Sequence, residues 1–176
     1  MQVVERIFKE LLGRYNFGPD IAESYWKEIS DAYSRKGRYY HTLKHLEDLI
    51  DEITSCPEIN DLDTVLFSVF YHDIVYNVFN SDNEAQSAVI AGQRLDSMHV
   101  REEVIVKCKA QILATKDHAW SDDSDTNYFT DADLLSSAVC GQNMKSIKTR
   151  SEKSTAFIQR VCTIREESKF SVVFLL

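Results

Sequence analysis

The chain has 176 residues, 44% of them hydrophobic and 27% charged, which is enough apolar material for one globular domain with a real core. Its formal charge of -8, with no cluster of Lys and Arg, argues against a nucleic-acid polymer or an anionic membrane as partner. No apolar run reaches the length of a membrane helix, the first residues carry no signal core, and Cys56, Cys108, Cys140 and Cys162 form no CxxC pair, so a cytoplasmic protein with reduced thiols is expected.

With five glycines and two prolines, and apolar residues at helical spacing, the chain reads as all-α. Val4, Ile7, Phe8, Leu11, Leu12 and Tyr15 mark a first helix, and Pro19 opens a second through Ile21, Tyr25, Trp26, Ile29 and Tyr33. A third runs from His41 through Leu43, Leu46, Leu49, Ile50 and Ile53 to a stop at Ser55-Cys56-Pro57. Asn60 or Asp61 caps a fourth, the most apolar, from Val65 to Tyr76 with His72 and Asp73 inside it. Asp82 caps a fifth reaching about Met98, and Val104 to Leu113 mark a sixth. Ser121 to Asp125 reads as a polar loop, with Asp122 and Asp123 solvated, before a seventh helix from Asn127 to Ser137.

An imidazole and a carboxylate in the most apolar stretch need a partner, because an unpaired buried charge costs several kcal/mol. His41 and His45, four apart on one predicted helix, share a face. His72 and Asp73 are adjacent, about 100° apart around a helix, and Asp131 and Asp133 place carboxylates at the start of another. Two imidazoles and two carboxylates suit a divalent ion and leave positions for water and substrate, the layout of metal-assisted hydrolysis. Each piece alone has a plainer reading: a satisfied core histidine, a helix cap, a solvated helix face.

Five ordered segments carry a resemblance: Tyr40 to His45 (YHTLKH), Phe70 to Tyr76 (FYHDIVY), Asp82 to Ala88 (DNEAQSA), Ala114 to His118 (ATKDH) and Phe129 to Leu134 (FTDADL). Over residues 1–138 they resemble the HD-domain superfamily of metal-dependent phosphohydrolases, in the branch usually described only as predicted HD phosphohydrolases. The resemblance implies a single-domain helical bundle. Its ligands, carried over, are His41, His72, Asp73 and an acid of the DAD segment, Asp133 with Asp131 in reserve. It implies a divalent cofactor among manganese, iron, zinc, nickel, cobalt and magnesium, without choosing between them.

The implied activity is hydrolysis of a small phosphate monoester or diester, nucleotides included, by a metal-activated water. The alternative is a regulatory domain that binds metal or nucleotide without turnover. Beside Asp73, Glu84 is a candidate catalytic acid that orients water or protonates a leaving group, or else a first-turn residue of its helix. Arg38, His45, Lys116 and His118 are candidates for contacting a substrate phosphate, whereas Asn83 and Ser87 suit holding a helix start.

Residues 139–176 depart from that pattern. After Leu134 the branch continues with a Trp and two Tyr at three-residue spacing, then an IRxEY element and further helices. Read from the third base of each codon, Arg150 through Glu167 can encode IRKEYRIYPEGLYNPGRK, and the codons spanning Cys140, Asn143 and Ser146 can give Trp, Tyr and Tyr. Mainly the first base of each displaced codon is free in that exercise. A frame change between Leu134 and Cys140 is therefore expected to have replaced the family's C-terminal helices with an atypical tail that packs poorly. A coding sequence lacking that segment in the displaced frame rules this out.

Overall fold

The computed structural model describes residues 2–38 and 41–139, and the tail expectation falls outside them. Among the described residues there are seven helices and no strand: α1 (Gln2–Arg14), α2 (Pro19–Tyr33), α3 (Leu43–Thr54), α4 (Leu62–Tyr71), α5 (Asn83–Ser97), α6 (Glu102–Ala114) and α7 (Ser124–Val139). They form one helical domain, and no helix among the described residues is long and apolar enough to cross a membrane.

The core is built around α4, in which all eight residues from Thr64 to Tyr71 are buried. A helix apolar on every side must be covered on every side, and α4 packs against α1, α3, α5, α6 and α7. Phe8 of α1 meets Phe70 edge-on at 4.8 Å and Trp26 of α2 at 6.1 Å, while Tyr15 lies 5.3 Å from Phe67. Such aromatic pairs add to the burial of large rings. Within this apolar surround the Ser68 hydroxyl donates to Gln111 Oε1 of α6 at 2.6 Å, while Gln111 Nε2 finds no partner among the described residues.

Helix ends differ from the sequence expectation at three places that matter for the site. The third helix starts at Leu43, not His41, because Thr42 is extended (φ -113°, ψ 177°), so His41 lies just outside it. The fourth stops at Tyr71, with His72 as its cap and Asp73 in the turn beyond. The cause is a substitution of partners. The Val69 carbonyl takes the His72 ring N–H at 2.8 Å, and the Asp73 amide donates to the Tyr33 hydroxyl at 3.1 Å.

The seventh helix starts earlier than expected, which puts Asp131 and Asp133 in its interior. Asp123, read as solvated, accepts from Thr126 N at 3.0 Å and Thr126 Oγ1 at 2.6 Å, the bonds of an N-terminal cap. Asp125, in the stretch expected to be a loop, is fully buried. It accepts from Asn60 N (2.9 Å), Asp61 N (3.0 Å), Asn60 Nδ2 (3.1 Å) and Lys107 Nζ (2.9 Å). Those partners hold its carboxyl below the usual range although burial pushes the other way. Asp61 in turn caps α4 through Thr64 N at 3.2 Å. Asp125 therefore ties the start of α7 to the start of α4, the two helices that carry most of the site.

Candidate metal centre

Four segments bring donors together: the turn before α3 (His41), α3 (His45), the end of α4 (His72, Asp73) and the middle of α7 (Asp133). Two overlapping groups have the proximity a cation needs, His41/His45/Asp73 and His45/His72/Asp133, with the donor atoms of each within 4.8 Å of one another. His41 Nδ1 faces Asp73 Oδ2 at 2.5 Å, and His72 Nε2 lies 3.2 Å from that oxygen and 3.7 Å from Asp133 Oδ1. His45 Nε2 sits 3.3 Å from Asp133 Oδ1 and 3.1 Å from His72 Nε2.

Hydrogen bonding accounts for only part of this cluster. His41 Nδ1, Asp73 Oδ2 and Asp133 Oδ1 are all buried, and none has a hydrogen-bond partner of acceptable geometry, despite those short separations. Leaving one such group unmatched costs about 1–3 kcal/mol, and more when it is charged.

The two facing imidazoles lead to the same point. His72 donates its Nδ1 proton to the Val69 carbonyl. The Ser136 hydroxyl donates to the Asp133 carbonyl at 2.9 Å, so its lone pair accepts from His45 Nδ1 at 3.0 Å. The two Nε2 atoms face each other at 3.1 Å, and in the neutral rings that a cation would bind both carry bare lone pairs. Lone pairs turned inward, with a main-chain carbonyl behind one ring and a serine hydroxyl behind the other, are the arrangement of metal-ligating histidines. Neutral imidazole and carboxylate donors fit a divalent ion of borderline or hard character.

The charges agree with this reading. Burial would lower the pKa of His72, but Asp73 and Asp133 outweigh it and raise it to about 9. Burial would raise the carboxyl of Asp73, and the neighbouring His72 and His41 instead hold it well below the carboxylate range. Asp133 is likewise pulled down against burial by His118, His45 and His72. In the absence of a cation, a proton on His72 takes its electrostatic place.

Asp133 rather than Asp131 enters the cluster. Two residues apart on a helix point about 200° apart, so one site can use only one of them. Phe129, Asp133 and Ser136 share the inward face of α7: Phe129 meets the His72 ring edge-on at 5.7 Å, and Ser136 reaches His45. Asp131 is buried as well, on another side of the helix.

His45, expected at a substrate phosphate, stands among the metal-site donors. Its signal was its spacing of four from His41, and the two rings still meet at 5.4 Å although only His45 is helical. His118 Nε2 bonds Asp133 Oδ2 at 3.0 Å, orienting the carboxylate whose other oxygen faces His45 and His72. It does so from a left-handed backbone conformation (φ 48°) that costs energy in a non-glycine residue.

Arg38 reaches back to main-chain carbonyls: Nη1 to His41 O (3.3 Å) and Asp73 O (2.7 Å), and Nη2 to Ile74 O (3.1 Å). It thereby pins both ligand-bearing turns. Lys116 donates to the Ser81 carbonyl at 2.9 Å. Glu84 is half-buried in the first turn of α5 and makes no hydrogen bond or ion pair among the described residues.

Asn83 and Ser87 hold the chain after the His-Asp turn. Asn83 Oδ1 accepts from Asn77 N at 3.0 Å and its amide donates to Asn77 O at 2.9 Å, while Ser87 Oγ accepts from Val75 N at 3.1 Å. The Tyr33 hydroxyl, which ends α4 at the right residue, had no signal in the sequence, since its helix is remote from the motif. Comparisons with protein-family models, with curated proteins and with solved structures found no match to this chain.

Proposed function

We propose that the chain is a metal-dependent phosphohydrolase of the HD kind, acting on a small phosphate monoester or diester with water as the nucleophile. The observation that supports it is the convergence of three buried, unmatched donor atoms, His41 Nδ1, Asp73 Oδ2 and Asp133 Oδ1, on the facing Nε2 atoms of His45 and His72. A divalent ion held there supplies Lewis acidity toward a phosphoryl oxygen and makes water more acidic.

The chain's own groups do the rest. His118 fixes the orientation of Asp133, Arg38 fixes the two turns that carry His41 and Asp73, and Ser136 and the Val69 carbonyl fix the ring tautomers. Glu84, in the first turn of α5, is the candidate for moving a proton on the resemblance of its segment alone. A cytoplasmic setting and a small phosphorylated substrate accompany this reading, in place of a nucleic-acid polymer or a membrane.

The test is a screen of phosphate esters with the metal-loaded full chain, with His72→Ala as control. Phosphate release that disappears in the variant is expected. Release of equal rate in the variant overturns the catalytic assignment. Stoichiometric metal binding without release from any ester selects the non-catalytic metal-binding domain instead.

A further inference from the structure

A cavity of about 520 Å³, within the range of small-molecule sites, is lined in part by Arg38 and Tyr76 and by none of the five donor residues. Its wall includes three cations close in sequence, Arg35, Lys36 and Arg38. Among the described residues that line it the acid is Glu28, and that carboxylate is engaged by Arg94 through two bonds, Nε to Oε2 at 2.7 Å and Nη2 to Oε1 at 2.6 Å. Arg35 and Lys36 make no side-chain hydrogen bond or ion pair among the described residues.

The backbone is shaped to gather these charges. α2 ends at Tyr33, and Gly37 adopts φ +95°, a conformation glycine takes without strain, in the turn that closes with Arg38 N on Arg35 O at 3.4 Å. In a chain of net charge -8, Arg35 and Lys36 beside a concavity whose one described acid, Glu28, is engaged by Arg94 form a local exception to the overall field.

The remaining walls are of two kinds. Ile74, Val75 and Ile90 are apolar, and Asn77, Asn80 and Gln86 carry amides able to donate and accept. Tyr76 stands between the two regions, its ring 4.5 Å from His41 and 5.2 Å from the Arg38 guanidinium. Cations beside apolar and amide surface match a ligand with an anionic end and an uncharged organic body.

We propose that this cavity is a second ligand site, distinct from the metal centre, that takes a small organic phosphate with its phosphate on Arg35 and Lys36. It does not rest on the metal centre being catalytic. Arg38 links the two, because the guanidinium at the cavity wall also holds the His41 and Asp73 carbonyls.

The test is calorimetric titration of ADP into the chelator-treated full chain and into R35Q/K36Q and His72→Ala variants with unchanged helical circular dichroism. Saturable binding to the metal-free wild type is expected, weakened about tenfold or more in the double variant, which loses both cations proposed to meet the phosphate. His72→Ala should bind ADP as the wild type does, and inorganic pyrophosphate should bind more weakly than ADP because it leaves the apolar wall unused. Absence of binding to the wild type, or binding untouched by R35Q/K36Q, overturns the proposal. Binding lost in His72→Ala alone places the phosphate at the metal centre, overturning the second site while leaving the phosphohydrolase reading standing.

Discussion

Replacing Asp125 with Ala is expected to cost about 3–5 kcal/mol of stability, although it lies outside the His and Asp cluster. The carboxylate is fully buried and accepts from two main-chain amides, a side-chain amide and a lysine. Its removal strands the Asn60 and Asp61 N–H groups and leaves Lys107 without that partner, the circumstance in which breaking a buried charged network is most destabilising. A domain with about 5–15 kcal/mol in total loses a large share. The check is urea denaturation followed by circular dichroism. A midpoint within error of the wild type would show that the α4–α7 tie contributes nothing, whereas Asp122→Ala, in the same segment, should be close to neutral.

The second large effect separates the two acids of the DAD segment. Asp133→Asn is expected to weaken divalent metal binding by about 100-fold or more, since loss even of groups that merely orient ligands costs about 10–100-fold. Asp131→Asn is expected to leave the affinity of the folded protein unchanged, because its side chain points elsewhere on α7. Competition against a fluorescent zinc chelator measures both. Equal losses in the two variants would contradict the placement of Asp133 as the donor.

The helices were largely legible because their signal is local. Apolar spacing, with a cap at Asp82 and a polar loop before the last, located the seven described helices, and Pro19 and the pair Asn60 or Asp61 marked starts of which the structure keeps Pro19 and Asp61. What escaped the sequence was set by distant partners. Tyr33, on α2, ends α4 so that Asp73 leaves the helix and turns toward His41. Asn60, Asp61 and Lys107 draw Asp125 into the interior, and a stretch that composition reads as solvated becomes the anchored first turn of α7.

The site divides in the same way. His41, His72, Asp73 and Asp133 stand together, and His45 joins them as its spacing of four from His41 allowed, but no local pattern could tell that it would serve as a donor beside His72 while Arg38 turned to main-chain carbonyls. Both outcomes depend on packing between α3, α7 and the turn after α4. Those contacts join residues far apart in the chain, and side-chain spacing within one helix does not report them.

The central claim is that the buried His and Asp cluster holds a cation. Its most direct test is titration of the chelator-treated full chain with manganese and with zinc, following stoichiometry by equilibrium dialysis, alongside His72→Ala. A full equivalent of metal per wild-type chain, released by chelator and lost in the variant, is the expected result. A wild-type chain that retains neither ion, or a variant that retains as much as the wild type, would contradict it.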